Sequence, residues 1–74
     1  KVKLYGNTDN RGSREYNIAL GYKRDLSVAD LLELWGVQES QIEKVSYGEE
    51  DPAVSGNNEH AWALNRRVEL KYEV

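Results

Sequence analysis

The chain has 74 residues, of which 39% are hydrophobic and 31% charged, with a formal net charge of −3. This length and composition predict one small globular domain over residues 1–74 and exclude a disordered chain. The ten lysines and arginines are spread along the chain and do not form the basic patch of a nucleic-acid-binding protein. The absence of cysteine excludes thiol catalysis and disulfide scaffolds. No apolar run approaches the roughly 20 residues of a membrane span.

The first half of the chain is predicted to form a short strand and then a long helix. Residues 1–5, KVKLY, alternate between polar and apolar side chains, as a half-buried strand does. A polar, turn-forming loop follows, and the period then becomes helical from Ser13 or Arg14 to about Trp35. Ser13 is a suitable N-cap, and Gly36 is a suitable residue to end the helix.

One positive charge interrupts the apolar stripe of this helix. The stripe is predicted to span about 120° of arc and to consist of Leu20, Val28, Leu31, Leu32 and Trp35. Arg24 follows Leu20 by four positions, about 40° around the helix, and therefore falls inside the stripe. Because an unpaired buried guanidinium is costly, Arg24 needs a partner, and we expect that partner to be Asp9 in the preceding loop.

The pair of Asp9 and Arg24 permits two interpretations. Both side chains are expected at the carboxyl end of the first strand, beside the free N–H groups of a helix N-terminus, where anions are favoured. Arg24 can hold a carboxylate through two hydrogen bonds and Asp9 can hold an ammonium group, so together they would bind a zwitterionic amino-acid head group. A salt bridge that only holds the loop in place is the commoner outcome, and the spacing alone leaves both open.

The second half of the chain adds two strands and a short helix. Residues 42–47, IEKVSY, form the second predicted strand, and a long polar loop leads to a short helix over 59–65. Residues 67–74, RVELKYEV, alternate perfectly, which is typical of an antiparallel strand with one wet face. The order predicts an α+β fold, a small mixed sheet with one long helix packed on it, whose first two strands are parallel and joined by a right-handed crossover.

The remaining conspicuous residues show no convergent chemistry. His60, the only histidine, is predicted to lie on the surface, and the acidic residues 49–51 lack the spacing of an EF-hand and are predicted to form a solvated loop. Trp35 and Trp62 are expected in the core. No base, nucleophile or metal-ligand set converges, so the sequence predicts neither an enzyme nor a metal or cofactor site.

Three segments in order resemble a known family. GNTDNRGSREYNIALGYKR, GV....IEKVSYGEEDPAV and NRRVELKY are similar, in sequence and spacing, to the OmpA-like peptidoglycan-binding domain, and most of all to the peptidoglycan-associated lipoproteins (Pal) of Gram-negative outer membranes. The resemblance covers essentially the whole chain. It implies non-covalent binding of peptidoglycan through the meso-diaminopimelate of the stem peptide, tethering the outer membrane to the cell wall from its periplasmic face.

The resemblance also implies which residues form the site. The family's motif aspartate and the arginine of its following helix fall on Asp9 and Arg24, which are 15 positions apart. Thr8 is expected to help hold the loop and the ligand, and Asn17 to line the pocket. Arg66 matches a basic residue near the site, although the adjacent Arg67 is an alternative. The ligand-binding residues implied are thus Asp9, Arg24, Thr8, Asn17 and Arg66.

The chain departs from the family pattern at its beginning. Family members carry a further strand and helix before KVKLYG, so this sequence resembles a truncated OmpA-like fold. The missing strand would lie beside the last one, which leaves Arg67–Val74 as a bare edge, and bare edges pair readily with other chains. We therefore expect dimerisation or strand swapping through Arg67–Val74, or a missing segment that another chain supplies. The alternatives to peptidoglycan binding are a module that binds proteins, such as TolB of the Tol–Pal system, or an engineered scaffold fragment of the same fold that dimerises through this edge strand and binds ligand weakly or not at all.

Overall fold

The computed structural model describes residues 1–72. Its elements in chain order are β1 (Val2–Asn7), α1 (Arg14–Leu34), a 3-10 turn (Glu39–Gln41), β2 (Ile42–Gly48), α2 (Glu59–Asn65) and β3 (Arg67–Tyr72). The predicted order of strands and helices is confirmed. β1 and β2 extend further than predicted, and the last two residues of the predicted final strand lie outside the described residues.

Within residues 1–72 the strands form one mixed sheet in the order β2-β1-β3. β1 runs parallel to β2, with Val2 opposite Ile42, and antiparallel to β3, with Val2 opposite Tyr72. Two parallel neighbours need a long connection between them, and α1 supplies it while packing on one face of the sheet. The predicted α+β class is therefore confirmed.

Local hydrogen bonds set the ends of both helices. The Ser13 hydroxyl accepts from the backbone N–H of Tyr16 at 3.1 Å, and the Asn58 side chain accepts from the N–H of Ala61 at 2.9 Å, so each helix begins at a conventional N-cap. At the other end of α1, Gly36 has a φ of +99°, and its N–H donates to the carbonyl of Glu33 at 3.0 Å. A left-handed glycine at this position is the usual way to end a helix.

The hydrophobic core is small. It consists of Val2, Leu4, Ala29 and Ile42, with four half-buried apolar residues packed around it: Val28, Leu32, Val37 and Val68. These side chains come from β1, β2, β3, α1 and the turn after α1, so the core holds the helix against the sheet. The margin of stability of a domain with so little buried apolar surface is expected to be narrow.

The buried face of α1 is not the predicted apolar stripe. Its fully buried residues are Asn17, Gly21, Asp25 and Ala29. Leu31 is 57% exposed and Trp35 is 82% exposed, so the predicted core position of Trp35 is wrong.

The cause of this difference is a close approach between helix and strand. A Cβ atom added at Gly6 of β1 would lie 2.0 Å from the carbonyl oxygen of Gly21 on α1. The two backbones therefore touch, and only small side chains fit beside the contact. The helix is rotated towards its small residues, and the larger apolar side chains near its end point outwards.

Candidate functional site

A cleft of about 340 Å³ opens where β1 ends and α1 begins. The polar residues that line it are Asp9, Arg11, Tyr16, Asn17, Arg24 and Arg66. Four of the five predicted site residues thus lie around one space, although residues 9 and 66 are far apart in the chain. Three arginines and one aspartate leave the lining with an excess of two positive charges, which favours an anionic group.

Asp9 is the centre of a network of guanidinium groups. Its Oδ1 accepts from the backbone N–H of Arg11 at 3.1 Å and from Nε of Arg11 at 3.2 Å. Its Oδ2 accepts from Arg11 Nη2 at 2.7 Å and from Arg66 Nη1 at 3.3 Å. The hydrogen bonds from Arg11, with a smaller contribution from Arg66, outweigh burial and lower the pKa of Asp9 to about 2. Asp9 is therefore ionised at any ordinary pH.

Arg24 does not pair with Asp9, and the predicted partnership is wrong. Instead, its Nη1 donates to the backbone carbonyl of Asn7 at 2.8 Å. The carboxylate of Asp9 is already occupied by Arg11 and Arg66, whereas the carbonyl of Asn7 lies at the end of β1, facing the half-buried Arg24. Within residues 1–72 the other N–H groups of Arg24 have no hydrogen-bond partner, so they are available to a carboxylate in the cleft.

Thr8 and Asn17 are both buried, and both tie the cleft to neighbouring segments. The Thr8 hydroxyl donates to the carbonyl of Asp9 at 2.9 Å, and its N–H donates to the carbonyl of Gly48 at 2.8 Å. Thr8 thus holds the loop as predicted, but it lines an adjacent cleft rather than this one. Asn17 is 1% exposed, and its Nδ2 donates to Glu49 Oε1 at 2.8 Å.

The two adjacent arginines after α2 lie in different places. Arg66 bridges Asp9 and Glu59, with its Nη2 at 2.6 Å from the Glu59 carboxylate. Arg67 binds Glu69 at 2.6 Å and the carbonyl of Asp51 at 2.9 Å, away from the cleft. The arginine that lines the cleft is therefore Arg66.

Sequence reasoning missed Arg11, which makes more contacts with Asp9 than any other residue. Its guanidinium carbon lies 4.2 Å from the centre of the Trp62 ring, a cation–π contact, and Trp62 Nε1 donates to Asn10 Oδ1 at 2.9 Å. Trp62 is half-buried and supports Arg11, so its predicted place in the core is wrong. The available signal was the spacing, since Arg11 follows Asp9 by two positions in the same turn-forming loop.

The described part of the chain offers neither a metal site nor a membrane-spanning helix. No group of three histidine, cysteine, aspartate or glutamate side chains is arranged to hold a metal ion among residues 1–72. His60 is exposed, as predicted. Neither described helix is long and apolar enough to span a bilayer. The geometry of the cleft is that of a binding site for a small charged group.

Comparisons of sequence with known proteins give a consistent set of relatives. A family model described as the OmpA family matches residues 1–66. The peptidoglycan-associated lipoprotein of Pseudomonas putida is 58% identical over 71 residues, which are 96% of this chain and 43% of that protein. The protein of the same name from Legionella pneumophila is 53% identical over 73 residues, 99% of this chain and 42% of that protein. The chain therefore spans less than half the length of these relatives.

Comparisons of structure give a similar result. The crystal structure of the peptidoglycan-associated lipoprotein from Burkholderia pseudomallei superposes with a TM-score of 0.93 at 49% identity, covering 97% of this chain and 61% of that one. The C-terminal domain of Helicobacter pylori MotB superposes with a TM-score of 0.88 at 25% identity, covering 99% of this chain and 57% of that one. The resemblance seen in the sequence motifs thus extends to the arrangement of the strands and helices.

Proposed function

The chain belongs to the OmpA family, and on that premise we propose that it binds peptidoglycan non-covalently through the zwitterionic end of meso-diaminopimelate in the stem peptide. The proposed ligand-binding residues are Asp9, Arg24, Thr8, Asn17 and Arg66. In this proposal the chain is a binding module and not an enzyme. Its relatives are named peptidoglycan-associated lipoproteins, which supports a role in attaching the outer membrane to the cell wall.

The observation that carries the proposal is the unpaired side of Arg24. Its guanidinium is fixed by the carbonyl of Asn7 and faces a cleft whose other arginines already form salt bridges with Asp9 and Glu59. A ligand carboxylate can form a two-point contact with such a group without breaking an existing salt bridge. Asp9 contributes the negative charge that a neighbouring ammonium group requires.

The test is an NMR titration of the 74-residue chain with a muropeptide that contains meso-diaminopimelate. We expect saturable amide shifts around Asp9 and Arg24. Arg24→Ala should weaken binding by about 2 kcal/mol, because it removes a charged hydrogen-bond donor from a partly buried site. A muropeptide with lysine in place of diaminopimelate lacks the terminal carboxylate and should bind weakly.

Lys23→Ala is the matched control, because it removes one positive charge from the exposed side of the same helix. It should bind like the wild type. Equal weakening by both variants would mean that only the overall charge matters, and a well-dispersed spectrum without ligand shifts would refute the proposed function of this chain. TolB, the protein partner that the family resemblance implies, is a second proposed ligand of this surface, and competition with the muropeptide would test it.

We also propose that a second copy of the chain pairs along β3. This strand is hydrogen-bonded to β1 on one side, and within residues 1–72 its other side has no strand neighbour. Leu70 and Tyr72 on it are 43% and 71% exposed. An unpaired strand with exposed apolar side chains is a ready site for pairing with another chain.

A further inference from the structure

We propose that Glu49 is a positioning residue of this cleft: it orients the side-chain amide of Asn17 so that the carbonyl oxygen of that amide receives the ammonium group of the ligand. This inference rests on the function proposed above and assigns a role to a loop residue that the sequence motifs leave unassigned. It concerns the choice between a zwitterionic and a purely anionic ligand.

The hydrogen bond between the two residues settles the direction of the Asn17 amide. Asn17 is almost fully buried on α1, and its Nδ2 lies 2.8 Å from Glu49 Oε1. A carboxylate only accepts hydrogen bonds, so the NH₂ side of the amide must face Glu49. The carbonyl oxygen, Oδ1, then points the other way, and it lies 3.7 Å from the position of a Cβ added at Gly12, a residue that lines the cleft.

The backbone around Gly48 keeps Glu49 in this position. Gly48 has a φ of +56°, and a Cβ added there would lie 3.0 Å from the backbone nitrogen of Ile18 on α1. The carbonyl of Gly48 also accepts the N–H of Thr8 at 2.8 Å. Gly48, the residue before Glu49, is therefore held against both the helix and the loop that carries Asp9, and this places Glu49 beside Asn17.

The cleft gains from a second acceptor for the ammonium group beside Asp9, because the oxygens of that carboxylate are already engaged. The Asp9 carboxylate already accepts four hydrogen bonds from Arg11 and Arg66. An ammonium group would meet three guanidinium groups in the same space, and like charges repel. Among the described residues, Asn17 Oδ1 has no hydrogen-bond partner, and the nearby charge of Glu49 adds attraction for a cation. These two features make the cleft suitable for a carboxylate and an ammonium group together.

The test compares two synthetic tripeptides by NMR titration. One is L-Ala-γ-D-Glu-meso-diaminopimelate, and the other carries 2-aminopimelate in the third position, which keeps the terminal carboxylate and lacks the terminal amine. Glu49→Lys places a donor where the acceptor was, so it should turn the Asn17 amide and present NH₂ to the cleft. We expect this variant to bind the diaminopimelate peptide about tenfold more weakly. Its affinity for the aminopimelate peptide should be unchanged or higher.

Glu50→Lys is the matched control, since it makes the same change of charge one residue away, at a side chain that binds Arg14 and not Asn17. It should not alter the preference between the two peptides. Glu49→Gln keeps an oxygen that can accept from Asn17 and should retain most of the preference. If Glu49→Lys fails to fold, Glu49→Ala is the second variant: it removes the acceptor of the Asn17 NH₂ group and should reduce the preference.

Three outcomes separate the possibilities. If Glu49→Lys weakens both peptides equally, or if Glu50→Lys changes the preference as much, Glu49 does not orient the acceptor and the inference is wrong. If the wild-type chain binds the two peptides equally well, the cleft binds carboxylates only, and the inference again fails while peptide binding stands. If the wild-type chain binds neither peptide, the proposed function fails and the inference fails with it.

Discussion

Asp9 and Asp25 are both buried, but their surroundings shift their pKa values in opposite directions. Asp9 lies among arginine side chains, whose hydrogen bonds hold its pKa at about 2. Asp25 lies on the buried face of α1, against Gly6, and within the described residues neither of its carboxylate oxygens has a hydrogen-bond partner. Burial raises the pKa of Asp25 to about 6, and the nearby backbone N–H groups of Gly6 and Val45, which do not meet hydrogen-bond geometry, and the charge of Lys44 offset only part of the rise.

The raised pKa of Asp25 predicts that the chain becomes less stable as the pH rises. Between its ordinary pKa of 3.8 and about 6, the folded chain binds more protons at this residue than the unfolded chain does, so the free energy of unfolding falls across this range. We expect a loss of about 1 kcal/mol between pH 5 and pH 7.5, measured by urea unfolding. Asp25→Asn should remove this loss, because the amide carries no charge at either pH.

Asp30→Asn on the exposed side of the same helix is the control for this experiment. It changes the net charge equally and should keep the wild-type dependence on pH. If Asp25→Asn and the wild type lose the same stability between the two pH values, the carboxylate is better solvated than its buried position indicates. Asp25→Ala should also stabilise the chain at pH 7.5, since the small side chain suits the close contact with Gly6.

At the scale of elements, the contact between Gly6 on β1 and Gly21 on α1 determines how the helix lies on the sheet. Because the two backbones touch, Asn17 and Arg24 are brought to the end of β1, where the loop with Asp9 begins. Ser46 on β2 strengthens the same contact, since its hydroxyl donates to the carbonyl of Ile18 at 2.7 Å. The position of the cleft is thus a consequence of helix–sheet packing.

We predict that Gly6→Ala destabilises the chain by about 3 kcal/mol or more, at the upper end of what overpacking costs. Its Cβ would lie 2.0 Å from the backbone oxygen of Gly21, and a backbone cannot move aside as the end of a side chain can. Thermal unfolding followed by circular dichroism measures the effect. Gly36→Ala is the comparison, because it has open space around it and is disfavoured only by its positive φ, with an expected cost of about 1 kcal/mol. Equal losses for the two variants would contradict the close contact.

Across residues 1–72, the pattern of residues was sufficient to predict the three strands and the two α-helices, but not the 3-10 turn at Glu39–Gln41. The bounds of α2, Glu59–Asn65, follow directly from it, and Ser13 and Gly36 mark the ends of α1. The buried face of α1 was not predictable in the same way. Hydrophobicity favours Leu31 and Trp35 as buried residues, whereas the space beside Gly6 is so narrow that Gly21, Asp25 and Ala29 occupy it instead.

The residues of the site were predictable only where a motif marks them, and not where a contact joins residues distant in the chain. Residues of the recognised motifs, Asp9, Asn17, Arg24 and Arg66, do line one cleft, although their roles in binding remain predictions. Glu49 was predicted to be part of a solvated loop because nothing local distinguishes it from its acidic neighbours. Its contact with Asn17 joins residues 32 positions apart and depends on how β2 places the following loop, which no local pattern of residues reveals.

The proposed pairing of two copies along β3 has a preferred register. Val68, Leu70 and Tyr72 lie opposite Gly6, Leu4 and Val2, so they share the face of the sheet on which α1 packs. In an antiparallel pair centred on Leu70, Leu70 of each copy faces the other, Val68 faces Tyr72, and Glu69 faces Lys71. A register centred on Glu69 would oppose two glutamates and set Arg67 against Lys71, and opposed like charges are destabilising.

This register predicts the behaviour of charge-reversed variants in sedimentation experiments. The wild type should dimerise with increasing concentration, and Glu69→Lys or Lys71→Glu should each shift the association to at least about fivefold higher concentration, because either variant opposes two pairs of like charges. A mixture of the two variants should associate again, since both lysines of the first variant then face glutamates of the second. Glu43→Lys on β2, at the other edge of the sheet, is the control and should associate like the wild type. A strictly monomeric mass at every concentration would rule out pairing, while dimers that both single variants preserve would mean that the copies meet through another surface.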